Sequence, residues 1–466
     1  MAYKVGMVSL GCPKNQVDGE IMLSLLRDAG YELTPDENEA DAVIINTCGF
    51  IEDAKRESIE NILELAALKK DGSLKAVVVT GCMAERYRGQ VRAEMPEVDA
   101  VVGLGGNAKI VEVLDKVLLK SAVELFAEKS ALPLGGKRVL TTPPYTAYLK
   151  IAEGCDNRCS YCAIPQIRGR YRSREIDDIL REAERLAETG VRELVLVAQD
   201  TTRYGEDLRG RAMLPELLAK LEKIEPLRWI RVLYTYPERI TDELIGVIAN
   251  GDKILHYLDM PIQHCDAGIL ARMNRPGGRE RLTALIAALR RRIPDIVLRT
   301  TLIAGFPGET RAQFESLMEF VGQARFDRLG CFVYSPEEDT KAALFEDQID
   351  GKTKKARADS LMRLQADIAA EKGRARVGSR AQVLVEGYDG YIKHFYGRSY
   401  AEAPEIDGKI FFKSKRRYAP GDFARVRITD TLDYDLLGQD IMEERGSEAA
   451  KAGRDTKGGD ALEYAE

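Results

Sequence analysis

Little in this sequence directs it out of the cell or into a membrane. No stretch reaches membrane-spanning length, and the N-terminal Met-Ala-Tyr-Lys-Val-Gly runs straight into a strand-like segment without a basic region, apolar core and cleavage site. Membrane insertion and secretion are therefore not expected, and the chain is read as cytoplasmic. Positive charge is not in excess either: 69 Lys and Arg stand against 75 Asp and Glu, giving a net charge of −6. That balance argues against a protein whose affinity comes mainly from neutralising phosphates. Histidine is scarce, three in 466 residues and none close in sequence to Cys155, Cys159 or Cys162, so a catalytic zinc site, which usually recruits histidine, is not expected there. Low-complexity tracts are missing too, with Gly and Pro spread along the chain, so wholesale disorder is not expected.

What the chain does contain is length and a particular use of cysteine. At 466 residues it exceeds what one core usually organises, and two to four domains are expected. Eight cysteines in a long cytosolic-looking chain do not make a disulfide scaffold, because thiols stay reduced there and such scaffolds are short and secreted. Metal or cluster ligation is the alternative.

The first 120 residues alternate apolar runs (Val5 to Leu10, Ala42 to Asn46, Ala76 to Thr80, Val98 to Val102) with amphipathic stretches, a βαβ pattern that implies a parallel sheet. Residues 121–144 lose that period and read as a linker. Over 145–372, six strand candidates begin near Ala147, Glu193, Ile230, Ile254, Val297 and Arg328, with helical stretches between most of them. Six βα steps suggest a partial barrel, open on one side to a large substrate. A charged helix near Lys352 to Lys372 precedes short strands with Gly turns over 377–442, a small antiparallel β-barrel of the oligonucleotide-binding type. The remainder, 443–466, is rich in Glu, Ala, Gly and Lys and is expected to be a disordered tail.

Cys155, Cys159 and Cys162 follow a strand and have no fourth cysteine nearby. A structural zinc site normally closes its tetrahedron with four protein ligands. A four-iron cluster on three thiolates keeps one iron free for a substrate or cofactor. The competing readings are a zinc knuckle or buried thiols. Cys12, Cys48 and Cys82 each follow the end of a predicted strand, 36 and 34 residues apart, with glycines beside them. In a parallel α/β sheet those ends share one edge, so the three thiols can converge on a second three-thiolate site. Buried structural cysteines are the alternative there. Cys265 and Cys331 show no such pattern and read as core thiols.

The CxxxCxxC spacing resembles the radical S-adenosylmethionine (SAM) superfamily. An N-terminal three-cysteine domain, this motif and a small terminal β domain together resemble the methylthiotransferase family, up to about residue 443. Ser9-Leu10-Gly11-Cys12-Pro13-Lys14-Asn15, Val197-Ala198-Gln199-Asp200-Thr201 and Tyr334-Ser335-Pro336-Glu337-Glu338 are similar to the branch that modifies an aspartate of a small-subunit ribosomal protein, S-twelve. Gly19 and Asp339 depart from it, standing where that branch commonly has Ser and Gly.

The resemblance implies two [4Fe-4S] clusters, one on Cys155, Cys159 and Cys162 that binds SAM and one on Cys12, Cys48 and Cys82 that supplies sulfur. It also implies SAM contacts at Tyr161, Gln199 and Gly305, the last within Thr301-Leu302-Ile303-Ala304-Gly305-Phe306-Pro307-Gly308-Glu309. Core packing for Tyr161 and an ordinary tight turn at Gly305 are the simpler readings. Both centres are expected to face one cavity. The implied partners are the ribosomal protein, free or in the assembled subunit, an electron donor and a sulfur source, with the chain acting as a monomer.

A tRNA adenosine is the second substrate choice. Aromatics interleaved with basic residues around Lys393 to Tyr396 and Phe411 to Tyr418 suit stacked bases, or else fill a barrel core. Ten Lys or Arg against ten Asp or Glu from Val377 to Met442 favour a protein substrate. A non-catalytic, metal-bearing RNA-binding protein is the alternative from another class, and stoichiometric zinc with tight RNA binding would mark it.

Overall fold

Six strands between Lys4 and Leu125 form one parallel sheet. A computed structural model describes residues 3–70, 72 and 74–441 of the chain; the tail 443–466 lies outside the described residues. Strands β1 (Lys4–Ser9), β2 (Glu32–Leu33), β3 (Ala42–Thr47), β4 (Ala76–Gly81), β5 (Ala100–Val102) and β6 (Val123–Leu125) lie in the order β2-β1-β3-β4-β5-β6. Helices α1 (Pro13–Asp28), α2 (Glu52–Ala67), α3 (Cys82–Glu94) and α4 (Ile110–Leu118) complete the layers. Both faces are covered. Val43, Ile45, Val77 and Val79 pack with Ile62 of α2 and Val91 of α3, whereas Ile44 and Val78 pack with Met22 of α1 and Leu114 of α4. A strand buried on both faces has no polar side to show, so β3 and β4 read as continuous apolar runs. The short edge strands β2 and β6 extend this sheet beyond the expected ones, and β6 lies in the stretch read as a linker.

The second sheet matches the six-step expectation closely. The short strands β8 (Ala152–Glu153) and β9 (Arg172–Ser173) pair with each other beside it. The sheet itself takes β7 (Thr146–Lys150), β10 (Glu193–Val197), β11 (Trp229–Val232), β12 (Ile254–Asp259), β13 (Val297–Ala304) and β14 (Arg328–Val333) in unbroken sequence. Every neighbouring pair is parallel, and β7 and β14 remain as edges. This is the partial barrel. Leu149, Leu194, Ile230, Leu258, Leu298 and Leu302 belong to one core with the apolar stripes of the crossover helices.

The described residues fall into two units, one reaching Lys372 and including Ala403–Asp407, the other comprising Gly373–Glu402 and the chain from Gly408. The second holds a closed five-stranded barrel of β15 (Arg380–Asp389), β16 (His394–Arg398), β17 (Ile410–Lys413), β18 (Phe423–Leu432) and β19 (Asp435–Asp440). Its pairs are antiparallel except β17 with β19, the parallel contact through which the fifth strand closes the barrel. Phe412 is fully buried, Phe395 stacks on it at 5.7 Å, and Tyr418 meets both edge-on. These aromatics therefore fill and cover the barrel core. Among the described residues no helix is long and apolar enough to cross a membrane.

Candidate functional site

Cys12, Cys48 and Cys82 follow β1, β3 and β4, which are consecutive neighbours in the first sheet. Because the strands are parallel and in register, the three positions share one edge. Gly11 has φ 93°, and a Cβ there would lie 2.7 Å from the Cβ of Cys48 and 2.9 Å from its Sγ, so only glycine lets the β1 turn pass under Cys48. The Asn15 amide donates to the carbonyls of Leu10 (2.8 Å), Asn46 (3.1 Å) and Thr47 (3.2 Å), tying the ends of β1 and β3 together. Ser58 of α2 accepts from the Cys48 N–H and donates to its carbonyl. A recess of about 340 Å³ opens on Cys12.

The second group of thiols lies on the loop after β8. The Cys155 N–H donates to the Gly169 carbonyl at 3.1 Å. Ser160 is held by both backbone and hydroxyl, its N–H on the Met273 carbonyl and its Oγ on that of Arg272. Cys155 and Cys159 are buried and Cys162 is half-buried. Burial pushes the Cys155 thiol up to about 11, and the neighbouring Cys159 thiolate opposes its ionisation further. Cys162 is raised by burial and then by Cys159. Burial and the neighbouring Cys159 thus disfavour the thiolates of Cys155 and Cys162, which a bound cation would favour. A recess of about 310 Å³, lined by Asn157, Tyr236 and Arg275, opens on Cys159.

Among the described residues no three His, Cys, Asp or Glu side chains close on a single metal ion. Three thiols beside open space have the donor chemistry of a polynuclear iron–sulfur cluster.

Sequence reasoning missed the residues that join the two groups. Helix α5 (Ile164–Arg168) begins two residues after Cys162, and its last residue, Arg168, reaches the first sheet. Its Nη2 donates to the Sγ of Cys82 at 3.3 Å and to Asn15 at 3.0 Å; its Nη1 donates to Asp18 at 2.7 Å and Glu153 at 3.0 Å. Lys150 of β7 donates to the same two carboxylates. Lys14 stands 3.3 Å from the centre of the Tyr234 ring. No periodicity announces such a network. The one available signal was three polar residues, Lys14, Asn15 and Asp18, within six positions of Cys12.

The expected SAM contacts divide. Tyr161 lines a cavity of about 680 Å³ together with Thr301 and Ile303 of β13, and its ring also packs on the cluster around Phe306 and Tyr334, so wall and packing roles coincide. Gly305, with φ 73°, lies at the end of β13 and is backed by Lys354, which itself lines that cavity. Gln199 donates to Glu153 at 2.6 Å, while its buried Oε1 has no hydrogen-bond partner. An orphaned buried acceptor fits a ligand N–H or O–H. Phe50 and Ile51, just after Cys48, also line the 680 Å³ cavity, so both cysteine-bearing segments border it. Asp339, the departure from Gly, keeps a left-handed backbone with φ 61°.

Residues 4–103 match the family described as uncharacterized protein family UPF0004, residues 149–321 the radical SAM superfamily, and residues 377–441 the TRAM domain. A curated relative from Thermoanaerobacter sp. (strain X514), ribosomal protein uS12 methylthiotransferase RimO, is 50% identical over 93% of this chain and 99% of its own. The protein of the same name from Pelotomaculum thermopropionicum is 52% identical over 95% and 100%. Among solved structures, the radical SAM methyltransferase TsrM from Kitasatospora setae superposes with a TM-score of 0.54 at 15% identity, covering 84% of this chain and 79% of that one, a likeness of fold alone.

Proposed function

Because the chain belongs to the family of ribosomal protein uS12 methylthiotransferases named RimO, we propose that it inserts a methylthio group at the β-carbon of an aspartate of uS12. In this reading Cys155, Cys159 and Cys162 hold the four-iron cluster that binds SAM, and Cys12, Cys48 and Cys82 hold a second cluster for sulfur transfer. With these groups bound, reductive cleavage of SAM supplies a 5′-deoxyadenosyl radical for hydrogen abstraction, the second centre supplies sulfur, and another SAM supplies the methyl group.

The observation that carries the proposal is the Arg168–Cys82 contact, which joins the loop of one cysteine group to a thiol of the other. The remaining residues have ordinary tasks. Gln199 offers its free oxygen to SAM, Tyr161 and Thr301 shape the wall, and Arg86 holds the Glu337 loop against Gly49 and limits water entry. A side-chain base cannot take a hydrogen from unactivated carbon at useful rates, so the chain's work is positioning and shelter. The enzyme acts in the cytoplasm as a monomer and takes electrons and sulfur from outside donors.

The aromatic core of the small barrel leaves tRNA adenosine the weaker second choice. The test is anaerobic cluster reconstitution followed by incubation with SAM, sulfide and a reductant, and mass spectrometry of uS12 and of tRNA. A methylthio gain on uS12 supports the proposal, and the same gain on tRNA alone replaces it.

A further inference from the structure

We propose that Arg168 is a positioning residue that fixes Cys82 and raises the reduction potential of the cluster on Cys12, Cys48 and Cys82, through its N–H···S hydrogen bond and its buried charge. This rests on the reading that those three thiols carry a cluster.

Arg168 is 2% exposed, and its two terminal nitrogens reach four acceptors: Asp18, Glu153, Asn15 and the Cys82 sulfur. A planar guanidinium can hold four acceptors at fixed angles, which an ammonium cannot. The local charges do not cancel. Arg168 and Lys150 are buried cations paired with the buried carboxylates of Asp18 and Glu153, and Lys14, also buried, stands over the Tyr234 ring, an excess of one positive charge among these five groups. The field of Arg168 favours the thiolate at each of the three cysteines. A buried excess cation is costly unless an anion completes the site, and a thiolate-ligated cluster is such an anion. Reduction makes the cluster more negative, so a donor N–H and a nearby cation stabilise the reduced state and raise its potential.

The test isolates that centre. In a chain carrying Cys155→Ala, Cys159→Ala and Cys162→Ala, the remaining cluster is reconstituted and its midpoint followed by an anaerobic redox titration monitored by electron paramagnetic resonance. Arg168→Met is expected to disfavour reduction at least tenfold, a shift of about 59 mV to lower potential for one electron. Arg168→Lys, which keeps the charge and loses the fork, is expected to fall between, and it decides the matter if Arg168→Met does not fold. Asp18→Asn disturbs the same network but removes a negative charge, so it is expected to move the midpoint upward. A general loosening of packing would move all three variants the same way.

If the triple-alanine chain takes up no iron, the cluster assignment fails and the proposal falls with it. If the cluster loads and the Arg168 variants leave the midpoint in place, or Asp18→Asn moves it downward with them, the assignment stands and the role given to Arg168 is wrong.

Discussion

Arg86 and Glu337 meet at 3.1 Å with 6% and 4% of their side chains exposed, one from the helix that starts at Cys82 and the other from the loop after the last barrel strand. The guanidinium also donates to the carbonyls of Gly49 and Glu338, both at 2.9 Å, so it draws the Cys48 turn and the barrel loop onto one point. Replacing Glu337 by Ala leaves a buried cation without its carboxylate, a change that costs ~3–5 kcal/mol. Urea unfolding of the chain should show that loss, with Glu337→Gln losing less because a hydrogen bond is kept. Equal stability of Glu337→Ala and the parent would show that the pair holds nothing.

Gly11→Ala tests the convergence of the first three thiols. Its methyl would overlap Cys48 at under 3 Å in a backbone with φ 93°. Such strain costs ~1–3 kcal/mol, and the direct path to its relief is displacement of Cys48. The variant should lose roughly half the iron and acid-labile sulfide of the parent, as expected when one of two four-iron clusters is missing. Retention of full iron would mean that Cys48 is not a ligand.

Gln199→Leu tests the orphaned acceptor. The substitution removes both the donor to Glu153 and the unpartnered Oε1. Loss of one hydrogen bond to a ligand corresponds to ~1.4 kcal/mol, or about tenfold in affinity. Half-saturation for SAM in 5′-deoxyadenosine formation should rise by that factor while cluster content stays constant. An unchanged SAM dependence would remove Gln199 from the site.

Most of this architecture was legible because buried parallel strands write themselves as apolar runs, and cysteines repeated at their ends stand out against that pattern. Strands β2 and β6 were not, being only two and three residues long. The role of the first turns of α1 was missed for a related reason. Lys14, Asn15 and Asp18 look like loop residues, yet all three are buried, because their partners Tyr234, Arg168 and Lys150 come from far along the chain. Long-range polar pairing leaves no period in a sequence. Gly305 follows β13, whose Thr301 and Ile303 line the cavity wall, and Lys354 fills the space a side chain at Gly305 would take.

The central claim is a division of labour between the two cysteine groups, and paired variants measure it. Each reconstituted chain is incubated anaerobically with SAM, reductant and uS12, and both 5′-deoxyadenosine and methylthiolated uS12 are quantified. Cys155→Ala with Cys159→Ala and Cys162→Ala should yield neither product. Cys12→Ala with Cys48→Ala and Cys82→Ala should still yield 5′-deoxyadenosine and no methylthiolated protein. Methylthiolation by the second variant, or 5′-deoxyadenosine from the first, would contradict the account.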